Sequence, residues 1–188
     1  MLSIIISGPP AVGKTTVARM LEKWLGLKYV SGGDLLKELA EERGYRVTGE
    51  DWWDSEEGQR FLRERIRNHT YDLEVDKKLC ELVKKGGYVI TSYSLPWLTN
   101  FGIKVWLKAS KEVRARRMSI RDNISYEKAL EIIEVRDKEN KQLYKELYGY
   151  DFGEDMKVFH LVVDTEKLQP EITAKIIEVF VQGYGNEP

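Results

Sequence analysis

Residues Gly8-Pro9-Pro10-Ala11-Val12-Gly13-Lys14-Thr15 fit the pattern G-x-x-x-x-G-K-[ST] at every fixed position. An isoleucine-rich apolar run, residues 2–6, precedes them, and Thr16, Val17, Ala18, Arg19, Met20 and Leu21 follow at helical spacing. Strand, glycine loop and helix in that order are the context in which the pattern becomes a phosphate cradle. Loop amides and the unpaired N–H groups of the first helical turn converge on an anion. Lys14 adds a charge that reaches the outer phosphates, and the Thr15 hydroxyl is a ligand for Mg²⁺. A glycine turn that merely joined strand to helix would not need all of the fixed positions. Residues 8–16 therefore read as the binding site of a nucleoside triphosphate.

The rest of the composition narrows the class. At 188 residues the chain suits one domain, 1–188, with a proper core. A formal net charge of −1 supplies no basic field for nucleic acid or an anionic membrane. Cys80 is the only cysteine, so no intramolecular disulfide forms, and His69 and His160 lack the cysteine neighbours of a zinc site. The first strand begins too early to leave space for a signal peptide, and no apolar run approaches membrane-spanning length. A cytoplasmic protein, monomer or homodimer, is expected.

Strand candidates at residues 2–6, 27–30, 88–91, 103–107 and 158–163 alternate with helical patterns at 15–25, 35–43, 73–84, 111–121, 126–147 and 170–181. Such alternation implies an α/β fold in three layers, with parallel strands, right-handed crossovers and helices on both faces. One segment, residues 44–71, interrupts it with Trp52, Trp53, Phe61 and dense charge, and reads as an inserted helical flap. Residues 149–155 read as a turn before the last strand.

Two further stretches bear on chemistry. After the second strand come Ser31-Gly32-Gly33-Asp34-Leu35-Leu36-Lys37. Asp34 suits a helix cap, and it also suits a carboxylate facing the phosphate crevice, where it would hold a metal-bound water or accept a proton. Lys37, one turn on, is placed to meet an acceptor's phosphate. In the region 111–148, Arg114, Arg117 and Arg121 share one helix face at i, i+3 and i+7, and Arg136 follows. Salt bridges to Glu131, Glu134 or Asp137 would explain them, and so would a lid closing its arginines over a transferred phosphoryl group.

Taken together these segments resemble the archaeal cytidylate kinases, within the nucleoside monophosphate kinase group. The likeness runs through Ser7-Gly8-Pro9-Pro10, Gly13-Lys14-Thr15-Thr16-Val17-Ala18, Val30-Ser31-Gly32 and Glu74-Val75-Asp76. It continues in Val105-Trp106-Leu107-Lys108-Ala109, Val113-Arg114-Ala115-Arg116-Arg117 and Ser125-Tyr126-Glu127-Lys128-Ala129-Leu130. Tyr144-Lys145-Glu146-Leu147-Tyr148-Gly149-Tyr150-Asp151 and Val162-Val163-Asp164-Thr165-Glu166-Lys167-Leu168 complete it. The resemblance implies a P-loop fold whose parallel sheet has five strands in the order 2-3-1-4-5. It implies transfer of the γ-phosphoryl of ATP, with Mg²⁺, to a small-molecule acceptor, CMP. By position it implies ATP at Gly8, Pro9, Pro10, Ala11, Val12, Gly13, Lys14, Thr15 and Thr16, and Arg117, Arg121 and Arg136 nearest the moving phosphate.

The chain departs from that pattern after the third strand. Where the family usually reads Ile-Glu-Gly-Arg-Leu-Ala-Gly-Trp, this sequence reads Ile90-Thr91-Ser92-Tyr93-Ser94-Leu95-Pro96-Trp97. Both the acid and the acceptor-facing arginine are replaced, and a tyrosine does not offer the forked, permanent charge of a guanidinium. Asp76 and Tyr93 are taken as acceptor-binding residues, and some of Arg60, Arg63, Arg65 and Arg67 as candidates for the missing charge. Trp52, Trp53, Tyr93 and Trp97 suit either an aromatic wall for the acceptor or ordinary packing of the flap. A kinase of a non-nucleotide metabolite, or a regulatory nucleotide-binding protein, are the alternatives that an altered acceptor side leaves open.

Overall fold

Five parallel strands carry the architecture: β1 (Ile4–Ser7), β2 (Lys28–Ser31), β3 (Tyr88–Thr91), β4 (Ile103–Lys108) and β5 (Leu161–Asp164), in the order β2-β3-β1-β4-β5. The computed structural model describes residues 2–48, 52 and 55–184, so Trp53 lies outside the described residues. Central β1 pairs Ile4 with Val89 on one side and with Ile103 on the other. A parallel sheet covered on both faces needs apolar side chains in both directions. Ile4 and Ile6 enter one core with Val17, Leu21, Val105 and Ile177, whereas Ile5 joins the opposite core with Leu79 and Ile90. That two-residue alternation is how one short run of isoleucines anchors both layers.

The helices are α1 (Lys14–Leu25), α2 (Gly32–Glu42), α3 (Glu56–Arg67), α4 (Thr70–Lys85), α5 (Leu95–Leu98), α6 (Lys111–Asp122), α7 (Tyr126–Tyr148) and α8 (Pro170–Gly183). Local sequence sets their ends. Ser31, Ser55, Ser110 and Ser125 each accept a hydrogen bond from the amide three residues on and so begin α2, α3, α6 and α7. Gly149 stops α7 in a left-handed conformation at φ 76°. The α6–α7 pair, the region read as a lid, closes on its own small core of Ala115, Met118, Ala129 and Ile133.

Three expectations need correction. The last strand begins at Leu161, not at residue 158. Phe159 instead joins an aromatic cluster with Trp97 and Trp106, and the Nδ1 of His160 accepts the Lys104 amide at 2.9 Å, in the manner of a strand carbonyl. Asp34 is not the cap of α2, because Ser31 takes that role and accepts the Asp34 amide at 3.3 Å. A short helix, α5, occupies a stretch that carries no helical period; Pro96 in its first turn suits a helix start.

Among the described residues the flap carries helix α3, and its aromatics Tyr45, Trp52, Phe61 and Tyr71 are core. Phe61 lies 5.6 Å from Trp52, 5.3 Å from Tyr45 and 5.0 Å from Tyr71 between ring centroids. Trp52 is fully buried and donates its indole N–H to the Arg46 carbonyl at 3.0 Å. Packing, not an aromatic wall, is therefore the role of Trp52. Trp97 is likewise interior, stacked on Tyr150 at 4.4 Å. Among the described residues no helix is long and apolar enough to cross a membrane.

Candidate active site

A cleft of about 1030 Å³ opens where the carboxyl ends of the strands meet the glycine loop, α2, the α3–α4 flap and the α6–α7 lid. Crevices outside the strand ends are where α/β sheets bind ligands. The donor half is built by the loop between β1 and α1. Gly8 has φ +147°, and a Cβ there would lie 2.3 Å from the Leu107 carbonyl oxygen of β4. Only glycine fits that approach. Ala11 at φ 58° and Gly13 at φ 102° both take left-handed backbone, which turns successive amides toward one point. Ala11 does so against a preference of about 1 kcal/mol, strain of the kind that collects where a ligand is held.

Lys14 folds back over the loop. Its Nζ donates to the carbonyls of Gly8 at 2.7 Å and Pro9 at 2.8 Å, and it sits 4.5 Å from the centre of the Tyr93 ring. Burial, followed by the charges of Arg136 and Arg114, brings its ammonium down to about 7. Cations gathered around a buried lysine are electrostatically suited to an anion. Thr15 is exposed beside it on the first turn of α1. Among the described residues no group of three His, Cys, Asp or Glu side chains forms a metal cage. The exposed Thr15 hydroxyl is an oxygen of the kind Mg²⁺ takes together with phosphate oxygens and water.

The lid arginines divide. Arg114 is buried and forks onto Asp137 at 3.0 and 2.7 Å, with Nη1 also donating to the Pro10 carbonyl at 3.4 Å. It pins the lid to the loop. Arg117 donates to the Thr165 carbonyl at 2.5 Å and hydroxyl at 3.0 Å, which commits it to the end of the cleft formed by residues 165–170. Arg121, paired with Asp122 at 2.6 Å, and Arg136 also line the cleft.

The opposite half is the acceptor side. Asp76 on α4 accepts hydrogen bonds from Ser94 Oγ at 2.6 Å and the Tyr148 hydroxyl at 2.5 Å, yet burial still pushes its carboxyl up to about 6. Arg65 on α3 forks onto Asp72 through Nε at 2.9 Å and Nη2 at 2.6 Å, and both residues line the cleft. Tyr93 forms the floor between the halves, its carbonyl accepting from Ser7 Oγ at 3.2 Å. Along α7, Arg136, Asn140 and Tyr144 line the cleft at steps of four, and Tyr148 one step further holds Asp76.

Of the residues expected from sequence, Pro10 through Thr16, Asp76, Tyr93, Arg117, Arg121 and Arg136 meet in this cleft. Gly8 and Pro9 support it from behind, through the carbonyls that hold Lys14. Asp34 and Lys37 are absent from its lining; Ser31, Gly32, Gly33 and Leu36 represent that turn instead, and the Asp34 side chain is exposed. Sequence reasoning named Arg65 only as one of four flap arginines and did not name Asp72, although a signal that separates Arg65 exists. Arg60, Arg63 and Arg67 fall on one helical stripe, whereas Arg65 falls about 140° round from Arg60, between Phe61 and Leu62. An arginine on an apolar face demands a partner and a purpose.

Comparison with known proteins identifies the family and the fold. The family described as cytidylate kinase-like matches residues 3–167. A cytidylate kinase of Sulfurisphaera tokodaii is 36% identical over 181 residues, covering 95% of this chain and 94% of that one. One from Pyrobaculum islandicum is 39% identical over 170 residues, covering 89% and 86%. In fold, the chain resembles the shikimate kinase of Acinetobacter baumannii, solved in complex with shikimate, with a TM-score of 0.64 at 18% identity over 100% of this chain and 96% of that one. The shikimate kinase of Aquifex aeolicus gives 0.55 at 20% identity over 97% of each chain.

Proposed function

The chain belongs to the cytidylate kinase-like family and is an ATP-dependent kinase, and from that premise we propose that it transfers the γ-phosphoryl group of ATP to CMP with the help of Mg²⁺. The observation that supports this most directly is the opposed pair of half-sites in one cleft: the Lys14 cradle on one side, the Arg65–Asp72–Asp76 floor on the other.

When bound, Mg²⁺ would draw charge from the outer phosphates and hold them in line. Thr15 is the residue that would hold it. On ATP binding, Lys14 exchanges the Gly8 and Pro9 carbonyls for phosphate oxygens, and the loop amides hold the phosphate ahead of the transferred one. Arg121 and Arg136 cover the charge that spreads over the moving group, which is where a cation contributes most to rate. Arg117, tied to Thr165, steadies the far end of the donor. Closure of α6 and α7 excludes water that would otherwise take the phosphoryl group. No strong base is needed, since the acceptor is itself a phosphate and in-line transfer depends on placement.

Tyr93, standing where the resemblance sets an arginine, favours one second reading: a small non-nucleotide acceptor. A single panel separates the readings. CMP, UMP, dCMP, AMP and simple metabolite alcohols are each given with ATP and Mg²⁺, and the phosphorylated product is identified. CMP is expected to give CDP fastest. A phosphorylated alcohol with inert nucleotides would replace this reading by the second. ADP formed with no phosphorylated acceptor would point to a regulatory nucleotide-binding protein.

A further inference from the structure

Charge is unevenly shared across the cleft. Lys14, Arg116, Arg117, Arg121, Arg136 and Lys167 line its donor and lid side. On the acceptor side, from α2 through the loop after β3, Arg65 is the only cationic side chain among the described lining residues. Its flap neighbours do not share the position: Arg60, Arg63 and Arg67 are exposed and frame a separate surface hollow with Glu64. The Arg65 side chain is only 18% exposed and its partner Asp72 5%.

We propose that Arg65, held by the Asp72 fork, is the anchor for the acceptor's own phosphate and so sets the requirement for a phosphorylated acceptor. This rests on the reading of the chain as a nucleoside monophosphate kinase. A monophosphate brings about two negative charges into a part of the cleft that already contains the carboxylates of Asp72 and Asp76. Without a cation there the three anions would repel one another. Arg65 uses Nε and Nη2 on Asp72, which leaves its Nη1 donors for a second anion, the bridging geometry that a planar guanidinium allows and an ammonium does not. Asp72 is thus a positioning residue: it fixes the plane of the fork and half-neutralises it until substrate arrives. Tyr93 lines the same cleft as Arg65 and Arg136, and the charges of both act on its hydroxyl. A phosphate over that ring would face one guanidinium from the flap and another from the lid. The flap thereby supplies, from a helix, the charge that the loop after β3 no longer carries.

The test compares wild type with Arg65→Gln and with the charge-neutral pair Arg65→Gln/Asp72→Asn, which leaves no buried carboxylate unpaired. Initial rates give KM and kcat for CMP and for ATP, and inhibition by cytidine measures recognition of the nucleoside without its phosphate. The inference expects KM for CMP to rise about 10- to 100-fold in both variants, with KM for ATP and the cytidine inhibition constant within about twofold of wild type. Arg65→Lys should recover only part of the loss. CMP and cytidine weakened alike, or an unchanged KM for CMP, would assign Arg65 to structure alone and overturn the inference while leaving the kinase reading intact. A wild-type enzyme that phosphorylates no nucleoside monophosphate would overturn both.

Discussion

Asp76 makes a prediction whose size follows from its surroundings. Its carboxyl is buried, 7% exposed, and titrates near 6, against 3.8 for a free aspartate. Because the native pKa lies above the unfolded one, the folded chain binds this proton more tightly. Its contribution to stability is fully present below about 3.8 and is lost as pH rises through 6. A difference of about 2.2 units at 1.36 kcal/mol each amounts to about 3 kcal/mol in full, of which roughly 2 kcal/mol is lost between pH 4 and pH 7 because the unfolded group is already partly ionised at pH 4. Other carboxylates act in the opposite sense: Asp122, Asp164 and Glu166 are held below their ordinary values by hydrogen bonds. Only a difference between proteins therefore isolates the effect. Urea unfolding of wild type and Asp76→Asn is measured at half-unit steps from pH 4 to pH 7. Asparagine keeps the shape, and any mismatch with the Ser94 and Tyr148 hydroxyls adds a constant offset, not a slope. The wild-type advantage over the variant should shrink by roughly 2 kcal/mol across the range. A difference that stays flat to within about 0.5 kcal/mol would show that the carboxyl is not desolvated and would refute the reasoning.

Other expectations follow from the cradle and the lid. Lys14→Ala should lower phosphoryl transfer by roughly two to three powers of ten, the scale of losing one aimed charge, while the melting temperature does not fall; full turnover would contradict the role given to Lys14. Gly8→Ala drives a Cβ against the Leu107 carbonyl and should abolish ATP binding in calorimetry or prevent folding, so tight nucleotide binding by a folded variant would count against the loop geometry. Arg114→Ala strands Asp137 and should cost about 3 kcal/mol in chemical denaturation, as breaking a buried pair does; a loss under about 0.5 kcal/mol would mean that this bridge does not hold the lid.

The donor half was legible in sequence because its chemistry is local. The eight residues from Gly8 to Thr15 contain both the backbone turns and the side chains that meet a phosphate, so spacing alone exposes them. Alternating apolar runs likewise disclosed the sheet, since strands buried on two faces have few other compositions. The acceptor half is written differently. Arg65 meets Asp72 only after α3 turns into α4, and Asp76 meets Tyr148 across 72 residues. Each partner looks ordinary until the chain has folded. Asp34 misled for the same reason: a carboxylate after two glycines reads as aimed at the crevice, but the helix starts two residues earlier at Gly32 and turns it to solvent. The β5 boundary failed where a side chain, His160, does a carbonyl's work and no apolar pattern records it.

Helix α7 has a mechanical meaning. From Arg136 to Tyr148 it is one unbroken rod of roughly 18 Å, with one end over the triphosphate cradle and the other tied to the Asp76 carboxyl. A rigid beam fastened at both ends cannot dip at one without shifting the other. Any tilt that lowered Arg136 would therefore also displace the Tyr148 hydroxyl, and with it the hydrogen bond to Asp76 on α4.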